Sequence, residues 1–239
     1  MKKVVAYVGS RNKNSSTLKL VSSIKDAVLA ISSSEIKFNI YTPNNCNIMP
    51  DDGSASAFKT GVDKIEEARI DDSLQLKKEI KDCDFLILAS PTYAHAVSGD
   101  MKILIDRITY WNHIFYLANK PGQIIVTASG NGFLKVAAYI RQILENCGVV
   151  FCDDVIQTDS RILSDIDITN SALTIVNQLN LSNEVFVPSA GAEANFQHLK
   201  ARYINSNKSF FEPNYWKKHG MFECENLKEY FQKVLGEKK

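Results

Sequence analysis

Cysteine is sparse and irregularly spaced in this sequence. The five thiols are Cys46, Cys83, Cys147, Cys152 and Cys224, an odd number with no CxxC pair. That pattern matches neither a disulfide framework nor the common zinc spacings, and a reducing, cytoplasmic setting is expected. An excess of one charge sign is also missing. Lys and Arg total 28, Asp and Glu 27, and the formal net charge is +1. Such a balance leaves no basic footprint for nucleic acid and no strongly acidic docking face. No apolar run approaches the roughly 18 residues of a membrane-spanning helix, so no membrane partner is expected. The opening MKKVVAYVGS has a basic pair and a short apolar stretch that enters a Gly-Ser turn, so it reads as a first strand and not a signal peptide.

What is present is a chain of 239 residues, 45% hydrophobic and 23% charged, long enough to bury a full core. Val4 to Val8 is a β-branched run. From Ser16 the period lengthens, with Leu18, Val21, Ile24, Val28 and Ile31 at helical spacing, and Ile36, Phe38 and Ile40 then alternate as a strand does. Residues 42 to 70 are rich in Pro, Asn, Asp, Gly and Ser; they read as a long loop with a short helix around Val62 to Arg69. Asp71-Asp72-Ser73 marks a helix start. Phe85 to Ser90 is a continuous apolar run, suited to a central parallel strand covered on both faces, and Gln123 to Ala128 reads as another buried strand. Helices are expected from Asp100 through Tyr110, over Phe133 to Asn146 with Gly148 as a left-handed cap, over Asp167 to Leu179 and over Ala192 to Tyr203, with a fifth strand at Val149 to Gln157.

Five strands alternating with helices predict an α/β fold with a doubly wound parallel sheet. Of the two common strand orders, five strands fit the flavodoxin-like 2-1-3-4-5. The expected organisation is a domain over residues 1–195 and a helical, aromatic extension over 196–239. Phe211, Tyr215, Trp216, Phe222, Tyr230 and Phe231 crowd that extension. A disordered tail is aromatic-poor, so this one must pack on something. Aromatic anchors of this kind favour an arm onto another subunit over a fold-back on the same chain.

In an open parallel sheet the ligand lies beyond the carboxyl ends of the strands. Three segments at such positions are dressed for one. Gly9 to Thr17 joins strand 1 to helix 1 with Ser10, Arg11, Lys13, Ser15, Ser16 and Thr17 at a helix N-terminus, where backbone N–H groups and the helix dipole favour a phosphate. One hydroxyl would suffice to cap that helix; the loop holds several. It is neither GxxxxGK[ST] nor GxGxxG. Pro91, Thr92, Tyr93, Ala94 and His95 follow strand 3 as a rigid turn with a ring against which a flat ligand can lie, or as an ordinary connection with Tyr93 in the core. Ser129, Gly130, Asn131 and Gly132 follow strand 4, where glycine permits close backbone approach or simply a positive φ.

Together GSRNKNSSTLKL, SPTYAHAVSGDMKILIDR and TASGNG resemble the NAD(P)H-dependent FMN reductase group of flavodoxin-like proteins, with the multimeric flavodoxin and iron–sulfur flavoprotein branches nearest. The resemblance covers about residues 1 to 160; a weaker echo is the Tyr215-Trp216-Lys217-Lys218-His219-Gly220 element. It implies non-covalent FMN, with the phosphate on Ser10, Arg11, Ser15, Ser16 and Thr17 and the ring between the Pro91–His95 and Ser129–Gly132 segments. Tyr93 and His95 would border the substrate slot, His95 shaping it or donating a proton to a quinone-like acceptor. NAD(P)H would be the electron donor and a flavin, quinone or similar small molecule the acceptor. The alternative is an electron carrier or flavin-binding module serving a protein partner. The resemblance also implies a homodimer or homotetramer. Asp106-Arg107 matches a helix pair in the group and reads as an ion pair. Iron–sulfur relatives carry a compact cysteine motif after strand 2. Here that loop keeps only Cys46, while a cluster needs four ligands, so no metal is expected.

Overall fold

The computed structural model describes residues 1–181, 183–206 and 210–237. Its parallel sheet is built from β1 (Lys2–Val8), β2 (Ile36–Tyr41), β3 (Phe85–Tyr93), β5 (Lys120–Ala128), β6 (Val149–Phe151) and β7 (Val155–Thr158). A two-residue β4 (Ala96–Val97) pairs antiparallel with the end of β3. The central order is β2-β1-β3-β5-β6, with β7 also on β5. This is the flavodoxin-like arrangement, with β5 as the fourth strand and β6 and β7 as two halves of the fifth. Both halves run parallel to β5, in the registers Lys120↔Val149 and Ile125↔Val155. The expected single strand from Val149 to Gln157 is interrupted at residues 152–154. There the Asp153 carbonyl accepts from Gln123 Nε2 at 3.3 Å, and Arg141 Nη2 donates to Asp154 at 2.5 Å.

The period of two along each strand sorts side chains onto two helical layers. Val5 and Tyr7 of β1 face α4 (Ser73–Asp82), α5 (Gly99–Ile108) and α6 (Phe133–Asn146), meeting Leu76, Leu104 and Ile140. Val4, Ala6 and Val8 face α1 (Ser16–Ile31) and α7 (Asp165–Asn180), meeting Val21, Ile24 and Ile175. With both faces covered, β1 and β3 are buried apolar strands, and their runs carry no alternation in sequence.

The excursion after β2 contains the expected short helix within Val62 to Arg69, as α3 (Lys64–Ala68), and a further one before it, α2 (Ser56–Thr60). It is stapled down by Arg107 of α5, which is 1% exposed. Its guanidinium donates to Asp63 at 2.7 Å, Asp71 at 2.6 Å, Ser73 Oγ at 2.7 Å and the Met49 carbonyl at 2.9 Å. Lys77 joins this cluster through Asp63 and Glu66. The expected Asp106–Arg107 pair is therefore corrected. Neighbours in a helix point to different sides, and Asp106 instead pairs with Lys102 one turn back.

The extension also departs from expectation. Most of its described rings pack within the chain, while Phe210 is exposed. Trp216 of α9 (Phe211–Lys218) is fully buried, stacks on Phe196 of α8 (Ala190–Ile204) at 4.9 Å and donates from Nε1 to the His113 carbonyl at 2.7 Å. Tyr230 and Phe231 of α10 (Leu227–Glu237) close the same cluster against Ile114 and Phe115, which follow α5. Much of the apolar surface that suggested an intersubunit arm is thus covered in cis.

Candidate active site

The cleft begins where β1 stops. Gly9 is required there by space. A Cβ on it would lie 2.7 Å from Ser98 Oγ and 2.8 Å from Met101 Cβ. The chain then turns on Asn12, whose Oδ1 accepts from Asn14 N at 2.9 Å and whose carbonyl accepts from Ser15 N at 3.0 Å. Ser15 caps α1 in extended geometry and accepts from Leu18 N at 3.1 Å. The first-turn N–H groups of Ser16 and Thr17 have no intrahelical acceptor and point out of the helix end. The dipole of a 16-residue helix adds partial positive charge at the same place. Thr17 is buried, and its hydroxyl shares a 2.6 Å hydrogen bond with that of Thr127 at the end of β5. This bond ties the first loop to the third.

The second wall is the hairpin formed by β3 and β4. Its two-residue turn places Ala94 at φ 49° and His95 at φ 63°. Two successive left-handed residues make the turn that matches strand twist, here without the usual Asn or Gly. Tyr93 is 58% exposed, so it lies over the cleft rather than in the core. The third wall runs from Thr127 to Ser129. Beyond it, Gly130 and Asn131 lead into Gly132, which precedes α6 at φ 83°; a Cβ there would sit 2.8 Å from His95 Cα. The second and third loops therefore touch at Gly132 and His95. We expect Gly132→Ala to cost ~1–2 kcal/mol, since an L residue resists that φ and its methyl would push the hairpin. An unchanged thermal midpoint would contradict this packing.

These loops line an open cleft beyond the carboxyl ends of the strands. Ser15, Ser16 and Thr17 line it from the first loop, Pro91, Thr92 and Tyr93 from the second, and Ser129 from the third. A fourth wall, Thr158, Asp159 and Ile162 after β7, is absent from the sequence reading. Its signal was available, because it too follows the carboxyl end of a strand. Other expected residues lie off the cleft wall. Ser10 is buried, and Arg11 Nη2 is 2.8 Å from Asp100 at the start of α5. His95 lines a separate, mostly apolar cavity with Val97, Val136 and Tyr139.

The donor set fits an FMN phosphate and ring. Ser10 Oγ and Thr92 Oγ1 are buried and have no hydrogen-bond partner among the described residues, an arrangement that ordinarily calls for an additional partner. The cleft wall offers hydroxyls, open N–H groups and a tyrosine face, with Asp159 as its carboxylate. The residues do not fit an iron–sulfur cluster. Cys46 is 4% exposed in the core, and burial first, then Asp72 and Asp71, push its thiol up to about 12, away from the thiolate that a cluster binds.

The model of the NADPH-dependent FMN reductase family matches residues 2–159, the whole span from β1 through β7. The chain belongs to this family. An iron–sulfur flavoprotein of Archaeoglobus fulgidus is 37% identical over 92 residues, covering 38% of this chain and 42% of that protein. Another, of Methanocaldococcus jannaschii, is 32% identical over 131 residues, covering 54% and 64%. The matched part of this chain thus spans less than two thirds of either relative. Among solved structures, the apo form of an NADH:FMN oxidoreductase aligns with a TM-score of 0.54 at 23% identity, over 80% of this chain and 96% of that one. RosB, with a bound riboflavin phosphate intermediate, aligns with a TM-score of 0.64 at 12% identity, over 87% and 89%. At these identities the two structures speak for the fold alone. The family match ends at residue 159, before the aromatic extension.

Proposed function

We propose that this protein is an FMN-dependent NAD(P)H oxidoreductase that passes electrons to a small acceptor such as a flavin or quinone. The observation that carries this reading is the cleft itself. An open helix N-terminus stands at one end, and the Tyr93 hairpin and the Thr127–Ser129 turn form its walls, all at the carboxyl ends of the sheet strands. The Ser16 and Thr17 N–H groups would hold the phosphate, with Ser15 keeping the helix end open and the Ser10 hydroxyl available below. Arg11, paired to Asp100, would hold the loop on α5. Pro91, Thr92, Tyr93 and Ala94 would flank one edge of the ring and Ser129 to Gly132 the other. FMN supplies the hydride and electron chemistry, and the protein binds and orients it. Tyr93 and Ile162, both exposed at the mouth, would offer apolar surface to donor and acceptor in turn. His95 would act by shaping the hairpin tip, since its ring lines the neighbouring cavity. A homodimer or homotetramer is the proposed assembly.

Purified protein loaded with FMN should lose its flavin absorbance on adding NADH or NADPH alone and regain it with a quinone or free flavin. A flavin that stays oxidised until a second protein is supplied would favour the electron-carrier reading instead.

A further inference from the structure

Two buried serines connect the hairpin base to the end of β1. Ser90 and Ser98 are 0% and 3% exposed and sit on either side of the Pro91–Val97 hairpin. Ser98 N donates to Ser90 Oγ at 3.1 Å, and Ser90 Oγ donates to the Pro91 carbonyl at 2.8 Å. The Ser98 hydroxyl in turn donates to the Gly9 carbonyl at 2.5 Å and accepts from Met101 N at 3.2 Å. Gly9 N donates to the Ala89 carbonyl at 2.8 Å, so Gly9 is held by β3 through its N–H and by Ser98 through its carbonyl. A hydroxyl has one proton to give, and here it goes to the residue that opens the first loop. Capping α5 needs only the acceptor side of that hydroxyl. The donated bond to Gly9 serves no helix.

We infer that Ser98 is a positioning residue that sets the separation between the phosphate-holding loop and the ring-flanking hairpin. The inference rests on the FMN reading above. Ser98 does not line the cleft; it acts through Gly9 on one side and Ser90 and Pro91 on the other. Its influence should therefore fall on a ligand that engages both ends of the cleft at once. FMN does so, whereas riboflavin, which lacks the phosphate, engages the ring end only. General destabilisation would weaken both ligands alike.

The test is the ratio of FMN to riboflavin affinity, from fluorescence titration of the full chain. Wild type should prefer FMN. Ser98→Ala should reduce that preference about tenfold, the scale of one lost hydrogen bond with its register. Ser98→Thr keeps both bonds and should retain the preference. An undiminished ratio in Ser98→Ala, or a loss in Ser98→Thr as deep as in Ser98→Ala, would overturn the inference. A wild-type protein that binds FMN no tighter than riboflavin would instead contradict the phosphate assignment itself.

Discussion

Ser16→Glu is expected to abolish useful FMN binding, by about 100-fold or roughly 2.7 kcal/mol, while leaving the fold intact. Ser16 is exposed on the first turn of α1, whose opening carries no acidic residue. A glutamate there suits the helix dipole and should leave stability unchanged or slightly raised. The same carboxylate would repel a phosphate held by the Ser16 and Thr17 N–H groups. Binding and stability should therefore move independently, which a folding defect cannot imitate. Ser16→Gln controls for bulk and should retain most of the affinity. FMN binding to Ser16→Glu at wild-type strength would remove the phosphate from this helix end.

Arg107→Leu is expected to cost ~3–5 kcal/mol of stability, the range for stripping one partner from a buried ion cluster. The replacement leaves Asp63 and Asp71 buried without the guanidinium that bridges them. Burial alone would raise both carboxyls, but the bonds they receive, from Arg107 and Lys77 for Asp63 and from Ser73, Met49 N and Arg107 for Asp71, outweigh it and hold both below the usual range. Burial wins at Glu66, whose carboxyl is raised despite Lys77. The signs follow. Depressed carboxyls stabilise above their unfolded pKa of about 3.9, and that contribution is lost as pH falls through the folded values. Glu66 acts in the opposite sense and regains stability as it protonates. With two carboxyls lowered against one raised, wild type is expected to lose stability in acid below about pH 4. Arg107→Leu should be weaker at neutral pH and show a flatter acid limb in urea unfolding. Parallel pH profiles for the two proteins would show that the cluster does not govern acid stability.

Legibility in the sequence followed how local each signal was. Phe85 to Ser90 and Gln123 to Ala128 announced central strands because a strand covered on both faces is mostly apolar. Phe133 to Asn146 showed its helix and Gly148 its left-handed end, observed at φ 97°. The α1 start at Ser16 was legible from the change of period, while the cap itself is Ser15 rather than Ser16 or Thr17. What escaped depends on distant partners. The β4 hairpin turns on Ala94 and His95, neither of which advertises a positive φ. The break in the fifth strand rests on Gln123 and Arg141. Arg107 looked like a partner for its neighbour Asp106, but its acceptors lie 36 and 44 residues earlier in the chain. The aromatic extension declared that it must be covered, and only three-dimensional packing shows that Phe115 and Phe196 cover Trp216.

The most direct test is a crystal structure of the protein grown with FMN. The account places the phosphate within hydrogen-bond distance of the Ser16 and Thr17 N–H groups, with the ring between Tyr93 and Ser129. FMN lodged instead in the apolar cavity beside His95, Val136 and Tyr139, or a phosphate away from the α1 terminus, would contradict it.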